Sequence, residues 1–72
     1  MADSWTKGVF SGVVSELSYD PDSQELTVVW KKGPPGIYVG VPEEHAEQLL
    51  RAASVGNMIH TEFKDVYPYR RG

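Results

Sequence analysis

Tyr67, Pro68, Tyr69, Arg70 and Arg71 follow one another at the end of a 72-residue chain, just before Gly72. Two phenol rings, a rigid proline and two guanidinium groups are the material of recognition. A guanidinium fork binds phosphate or carboxylate through paired N–H donors, and an aromatic face beside it stacks on a flat ligand. Asn57, His60 and Lys64 are spaced by three and four, so on a helix they share one polar stripe that extends the arginine patch. Upstream, Tyr38 offers a ring able to stack on a base. The candidate ligand-binding set is therefore Tyr38, Asn57, His60, Lys64, Tyr69, Arg70 and Arg71. A phosphate-bearing ligand, RNA or a nucleotide, suits it, provided that folding brings Tyr38 and Arg70 into one concavity.

Catalytic chemistry has no comparable constellation. Ser4, Ser11, Ser15, Ser18, Ser23 and Ser54 stand outside any Gly-x-Ser-x-Gly elbow. Gly33, Pro34, Pro35 and Gly36 form a turn whose prolines remove the amides a phosphate cradle needs. Glu43, Glu44 and Glu47 read as helix-dipole complements and solvated surface, and so small a domain offers little cleft for a paired-carboxylate hydrolase. There are no cysteines, and His45 and His60 are too far apart for an HExxH zinc pair. We expect no enzyme activity, no metal and no cofactor.

The formal net charge of −3 argues against a protein that coats nucleic acid indiscriminately, since that mode needs many cations to release counterions. Distribution matters more than the total. Up to Trp30 the only basic residue is Lys7, against Asp3, Glu16, Asp20, Asp22 and Glu25, while Lys31, Lys32, Arg51, Lys64, Arg70 and Arg71 all lie beyond it. The second half thus carries the means for a local basic face. No stretch approaches the roughly 20 apolar residues of a membrane span, and none resembles a signal peptide. With cysteine absent as well, the expectation is a cytoplasmic protein with no membrane partner.

Short elements must position these side chains. Residues 1–9 carry no periodicity and are expected to form a flexible arm, with residues 10–72 as the single domain. Val13 to Tyr19 read as a strand, although Val14 and Leu17 are three apart rather than two, which predicts a bulge or face switch near Ser15. Asp20, Pro21, Asp22 and Ser23 then turn the chain. Leu26, Val28 and Trp30 alternate with Thr27, Val29 and Lys31 as a second strand, and Ile37 to Val41 give a short third one. From Pro42 to Ala53 the apolar spacing becomes helical, through Ala46, Leu49 and Leu50. Ser54 reads as the N-cap of a second helix with Val55, Met58, Ile59, Phe63 and Val66 on one side. Gly56 inside it costs about 1 kcal/mol relative to alanine, so a close approach of backbones or a sharp corner between the helices is expected there. The predicted architecture is α+β: a three-stranded antiparallel meander followed by two short C-terminal helices packed on one face.

Ser18, Tyr19 and Asp20, then Leu26, Val28 and Trp30, then Ile37, Tyr38, Val41, Pro42 and Glu43, then Ala53, Ser54 and Gly56, and last Tyr67 to Arg71, make a succession that resembles the KTSC domain. The resemblance covers about residues 10–71. That family comprises modules found alone in bacterial and phage proteins and at the C terminus of some lysyl-tRNA synthetases. It implies a short β-meander with C-terminal helices, and RNA binding has been suggested for it. The chain departs at three places: Gly40 stands where a second tyrosine usually follows Tyr38, Ser18 where a glycine usually precedes Tyr19, and His60 where asparagine is usual.

The leading expectation is a non-catalytic module that binds a phosphate-bearing ligand. The alternative is a small interaction protein, of bacterial or phage type, that docks onto or inhibits a larger protein. For that role the acidic residues Asp20, Asp22 and Glu25 would matter as much as the arginines. A chain this short buries only about 60% of the surface its unfolded form exposes, so self-association as a homodimer is also expected.

Overall fold

Inward-facing side chains at every second position build the centre of the molecule. The computed structural model describes residues 3–71. Four strands come first: β1 (Trp5–Gly8), β2 (Val14–Asp20), β3 (Glu25–Trp30) and β4 (Gly36–Val39). Helices α1 (Glu43–Leu50) and α2 (Val55–Met58) follow, the latter running on as a π-helical segment, Ile59–Phe63, before strand β5 (Tyr69–Arg71). All neighbouring strands pair antiparallel in the order β1-β2-β3-β4-β5.

The α+β class, the antiparallel sheet and the two short helices match expectation, but the sheet has five strands rather than three. Both additions are edges. Trp5 to Gly8, expected within a flexible arm, pair with Tyr19 back to Glu16. Trp5 lays its ring 5.7 Å from that of Tyr19, and Thr6 Oγ1 lies 2.8 Å from Ser18 Oγ. Positions 1, 2 and 72 of the expected arm and domain lie outside the described residues. At the other edge the Val39 amide donates to the Pro68 carbonyl, and the chain then pairs from Tyr69 to Arg71 along β4. Edge strands this short, with every residue exposed except the half-buried Trp5, carry no alternation, because backbone pairing is what mainly holds them.

The bulge falls where the spacing places it. Val14 sits opposite Trp30 and Glu16 opposite Val29, leaving Ser15 unopposed, so Val14 and Leu17 both face the core despite their spacing of three. With Tyr19, Leu26, Val28 and Tyr38 they meet Val41, Ala46, Leu49, Val55, Ile59 and Phe63 from the helical side. The Tyr19 hydroxyl, buried in this core, donates to the Val41 carbonyl at 2.5 Å and so ties β2 to the entrance of α1.

Local signals set the helix boundaries. Pro42 precedes α1, with Glu43 and Glu44 in the first turn against the positive end of the dipole. Ser54 caps α2 by accepting from the Asn57 amide. A Cβ at Gly56 would stand 2.8 Å from Val13 Cγ2, so what comes close to this glycine is a side chain and not the backbone expected there. Val66 departs from its expected place on the buried helical face: the helix ends at Phe63 and Val66 is exposed.

Candidate ligand groove

Register decides which candidate side chains can meet. Tyr38 lies opposite Tyr69 and also opposite Leu26, so both tyrosines are on the face that the helices cover. Their ring centroids are 4.8 Å apart, and Tyr38 meets Phe63 edge-on at 5.8 Å. The ring of Tyr69 crosses Gly36, where any Cβ would overlap it, and reaches the end of β3. There the Trp30 Nε1–H donates to the Tyr69 hydroxyl at 3.2 Å. Trp30, Tyr38 and Tyr69 thereby form one wall of a groove. Gly56, Ile59, His60 and Lys64 form the other, and Asp65 and Tyr67 complete the lining of a space of about 580 Å³.

The π-helical segment shapes the second wall. Its wider turn is closed by the Lys64 amide donating to the Ile59 carbonyl at 2.8 Å, an i→i+5 bond. Lys64 then leaves in an extended conformation, and Asp65 takes a positive φ of 65°. This abrupt exit turns the chain towards Tyr67 and β5.

Four expected site residues, Tyr38, His60, Lys64 and Tyr69, line the groove. Three do not. Asn57 is exposed on α2, its amide on Ser54 Oγ and its carbonyl accepting from Thr61 Oγ1, because the wider π turn breaks the stripe it was expected to share. Arg70 alternates away from Tyr69 onto the opposite face of the sheet, where its guanidinium donates to Glu25 at 2.6 Å. Arg71 returns to the helix-side face but stands opposite Gly36, outside the lining. The expected concavity uniting Tyr38 with Arg70 therefore does not exist: the sheet separates them.

Trp30 and Asp65 also line the groove although the expected set lacks them, as does Tyr67, which belongs to the opening cluster but not to that set. A second unanticipated cluster braces the groove from behind. His45 stacks on Phe63 at 4.4 Å, its Nδ1 lies 2.6 Å from the Tyr67 hydroxyl, and its Nε2 lies 3.2 Å from Glu62 Oε1. A carboxylate, an imidazole and a phenol in a row have the order of a proton relay. Burial, followed by the charge of Glu62, pushes the Tyr67 phenol upward, away from nucleophilic activation. These contacts link α1 to the segment that carries Lys64.

Burial likewise pushes Tyr38 up, with smaller contributions from Tyr69 and Asp65, and Tyr19 up, with smaller contributions from Glu43, Asp20 and Tyr67. The ordinary phenol value is 10.0, so the unfolded chain ionises first as pH rises past it. Stability from these phenols is complete below that pH and is lost as pH climbs through the raised folded values. An alkaline titration should show tyrosinate absorbance from these residues appearing together with loss of ellipticity. Full ionisation at the ordinary value with the fold intact would refute their burial.

The family model of the KTSC domain matches residues 10–67. Among solved structures, the crystal structure of a KTSC domain protein from Yersinia pestis superposes with a TM-score of 0.90 at 24% identity, covering 97% of this chain and 99% of that one. At that identity the likeness speaks for the fold. No curated protein matches.

Proposed function

We propose that this chain, which belongs to the KTSC domain family, is a non-catalytic binding module whose groove takes a single nucleotide or one residue of an RNA strand. One observation carries the reading: the rings of Trp30, Tyr38 and Tyr69 face His60 and Lys64 across one groove. A planar base suits the aromatic wall, and Lys64 with His60 suits the phosphate on the other side. Asp65 is an acceptor for a ribose hydroxyl or an exocyclic amine. Arg70, paired with Glu25 across the sheet, has no part in it.

The cell compartment in this reading is the cytoplasm, where nucleotides and RNA are at hand. Among the described residues no helix is long and apolar enough to cross a membrane. Self-association, if it accompanies binding, has the exposed edges β1 and β5 as its surfaces, and scattering mass at two concentrations tests it.

Titration with mononucleotides, cyclic dinucleotides and short RNAs at two salt concentrations tests the groove. The expected result is saturable binding by at least one of them. Lys64→Ala should weaken it and flatten its salt dependence, and Tyr69→Ala should weaken it by about 1 to 3 kcal/mol. Arg70→Ala should change neither affinity nor salt slope, and should shift stability by no more than about 1 kcal/mol, the usual range for an exposed pair. Absence of saturable binding to every probe would overturn the proposal.

A further inference from the structure

Phe10 is fully exposed and Val13 is half exposed, both in the loop between β1 and β2. That loop is held in shape. Ser11 Oγ accepts from the amides of Val13 and Val14, and the Val9 amide donates to the Ser15 carbonyl at its base. A ring presented to water on a braced loop is unusual, because burial of a phenylalanine is strongly favourable.

The charges around it are mostly positive, although Glu16 stands opposite Gly8 at the same end. β2 and β3 are antiparallel, and the Lys31 amide donates to the Val13 carbonyl, so Lys31 and Lys32 stand beside the loop. Lys7 lines a shallow depression with Phe10, Leu50 and Ala52, which places Arg51 at the same end. Arg71 opposite Gly36 adds a fifth exposed cation at the start of β4. The far end of the sheet carries Asp20, Asp22 and Glu25. Glu43 and Glu44 join them, since α1 starts just after Val41, the residue bonded to Tyr19. The protein is net acidic yet strongly polar from end to end.

We propose that the Phe10 end docks onto an anionic lipid surface, with Phe10 and Val13 entering the interface and Lys7, Lys31, Lys32, Arg51 and Arg71 meeting the headgroups. The lack of a membrane span in the sequence argued against a membrane partner, but surface docking needs only a short apolar insert and cations around it. The acidic far end orients the molecule, since an anionic surface repels Asp20 and Asp22 while it attracts the lysines. A lipid is favoured over a nucleic acid because the branched methyls of Val13 offer no face for a base, whereas hydrocarbon accepts both side chains. It is favoured over a second copy because two copies meeting at this end would set their lysines against each other.

Co-sedimentation of the full chain with vesicles of equimolar phosphatidylserine and phosphatidylcholine, and with pure phosphatidylcholine vesicles, tests this. The chain should pellet with the first and not the second, and release as salt rises. Each lysine exchanged for alanine at Lys31 or Lys32 should weaken binding by about fivefold, and Phe10→Asp by about tenfold or more. Phe10 touches no core, so thermal melting should leave F10D folded. Lys64→Ala should bind vesicles as the parent does, which separates this surface from the groove. Absence of phosphatidylserine-dependent pelleting, or pelleting unaffected by F10D, overturns the proposal. So does binding of a single-stranded RNA that F10D abolishes while vesicles are ignored, which would assign this end to nucleic acid.

Discussion

Phe63→Ala is expected to leave the domain with little net stability at room temperature. The ring is fully buried and touches Tyr38, His45 and Tyr67, at centroid separations of 5.8, 4.4 and 5.4 Å. Truncating a buried phenylalanine costs about 3 to 5 kcal/mol, of which the unfilled cavity is a large part. Against this stands the stability of a small domain, near the low end of the usual range of about 5 to 15 kcal/mol. No disulfide is present to restrain the unfolded chain. Urea denaturation followed by far-UV ellipticity measures the loss. A change below about 1 kcal/mol would mean that the site collapses around the smaller residue or that the ring is not where it is described.

Gly36→Ala should do the reverse, sparing the fold and damaging the groove. The new methyl would occupy the space that the Tyr69 ring crosses. Tyr69 is half exposed on an edge strand, so its side chain can swing outward rather than distort the backbone. Its hydroxyl then loses the Trp30 indole, and the aromatic wall loses its outer ring. Base stacking on such a ring is worth about 1 to 3 kcal/mol, so nucleotide affinity should fall by about 5- to 150-fold. The melting temperature should move little, as one solvent-facing hydrogen bond contributes only about 0.5 to 1.5 kcal/mol. Unchanged affinity with the methyl in place would show that Tyr69 does not contact the ligand.

These two variants also show which parts of the molecule a linear reading could reach. Helical spacing alone puts Phe63 on the buried face, with Val55 and Ile59, because a stripe of apolar residues has few alternatives in a thin domain. The bulge at Ser15 was legible for the same reason: Val14 and Leu17 both demand burial, and only an extra residue reconciles them. Ser54 was legible because caps select residue types directly. The edge strands were not. β1 and β5 are held by backbone pairing, which leaves no mark on side-chain pattern, and without β5 the alternation that sends Arg70 away from Tyr69 cannot be known. The π turn was equally hidden, and it is what removes Asn57 from the stripe of His60 and Lys64. His45 and Tyr67, 22 positions apart, form a pair that neither residue announces alone.

Because β1 and β5 are the two margins of the sheet, the ends of the chain leave from opposite borders of the molecule, and only one of those borders adjoins the groove. Any polypeptide continued beyond Arg71 departs two residues from Tyr69 and crowds the groove mouth. One joined ahead of Trp5 departs three strands away from β4 and leaves it open. Purification tags, immobilisation linkers and reporter fusions therefore belong at the amino end, where a tether stays clear of the groove.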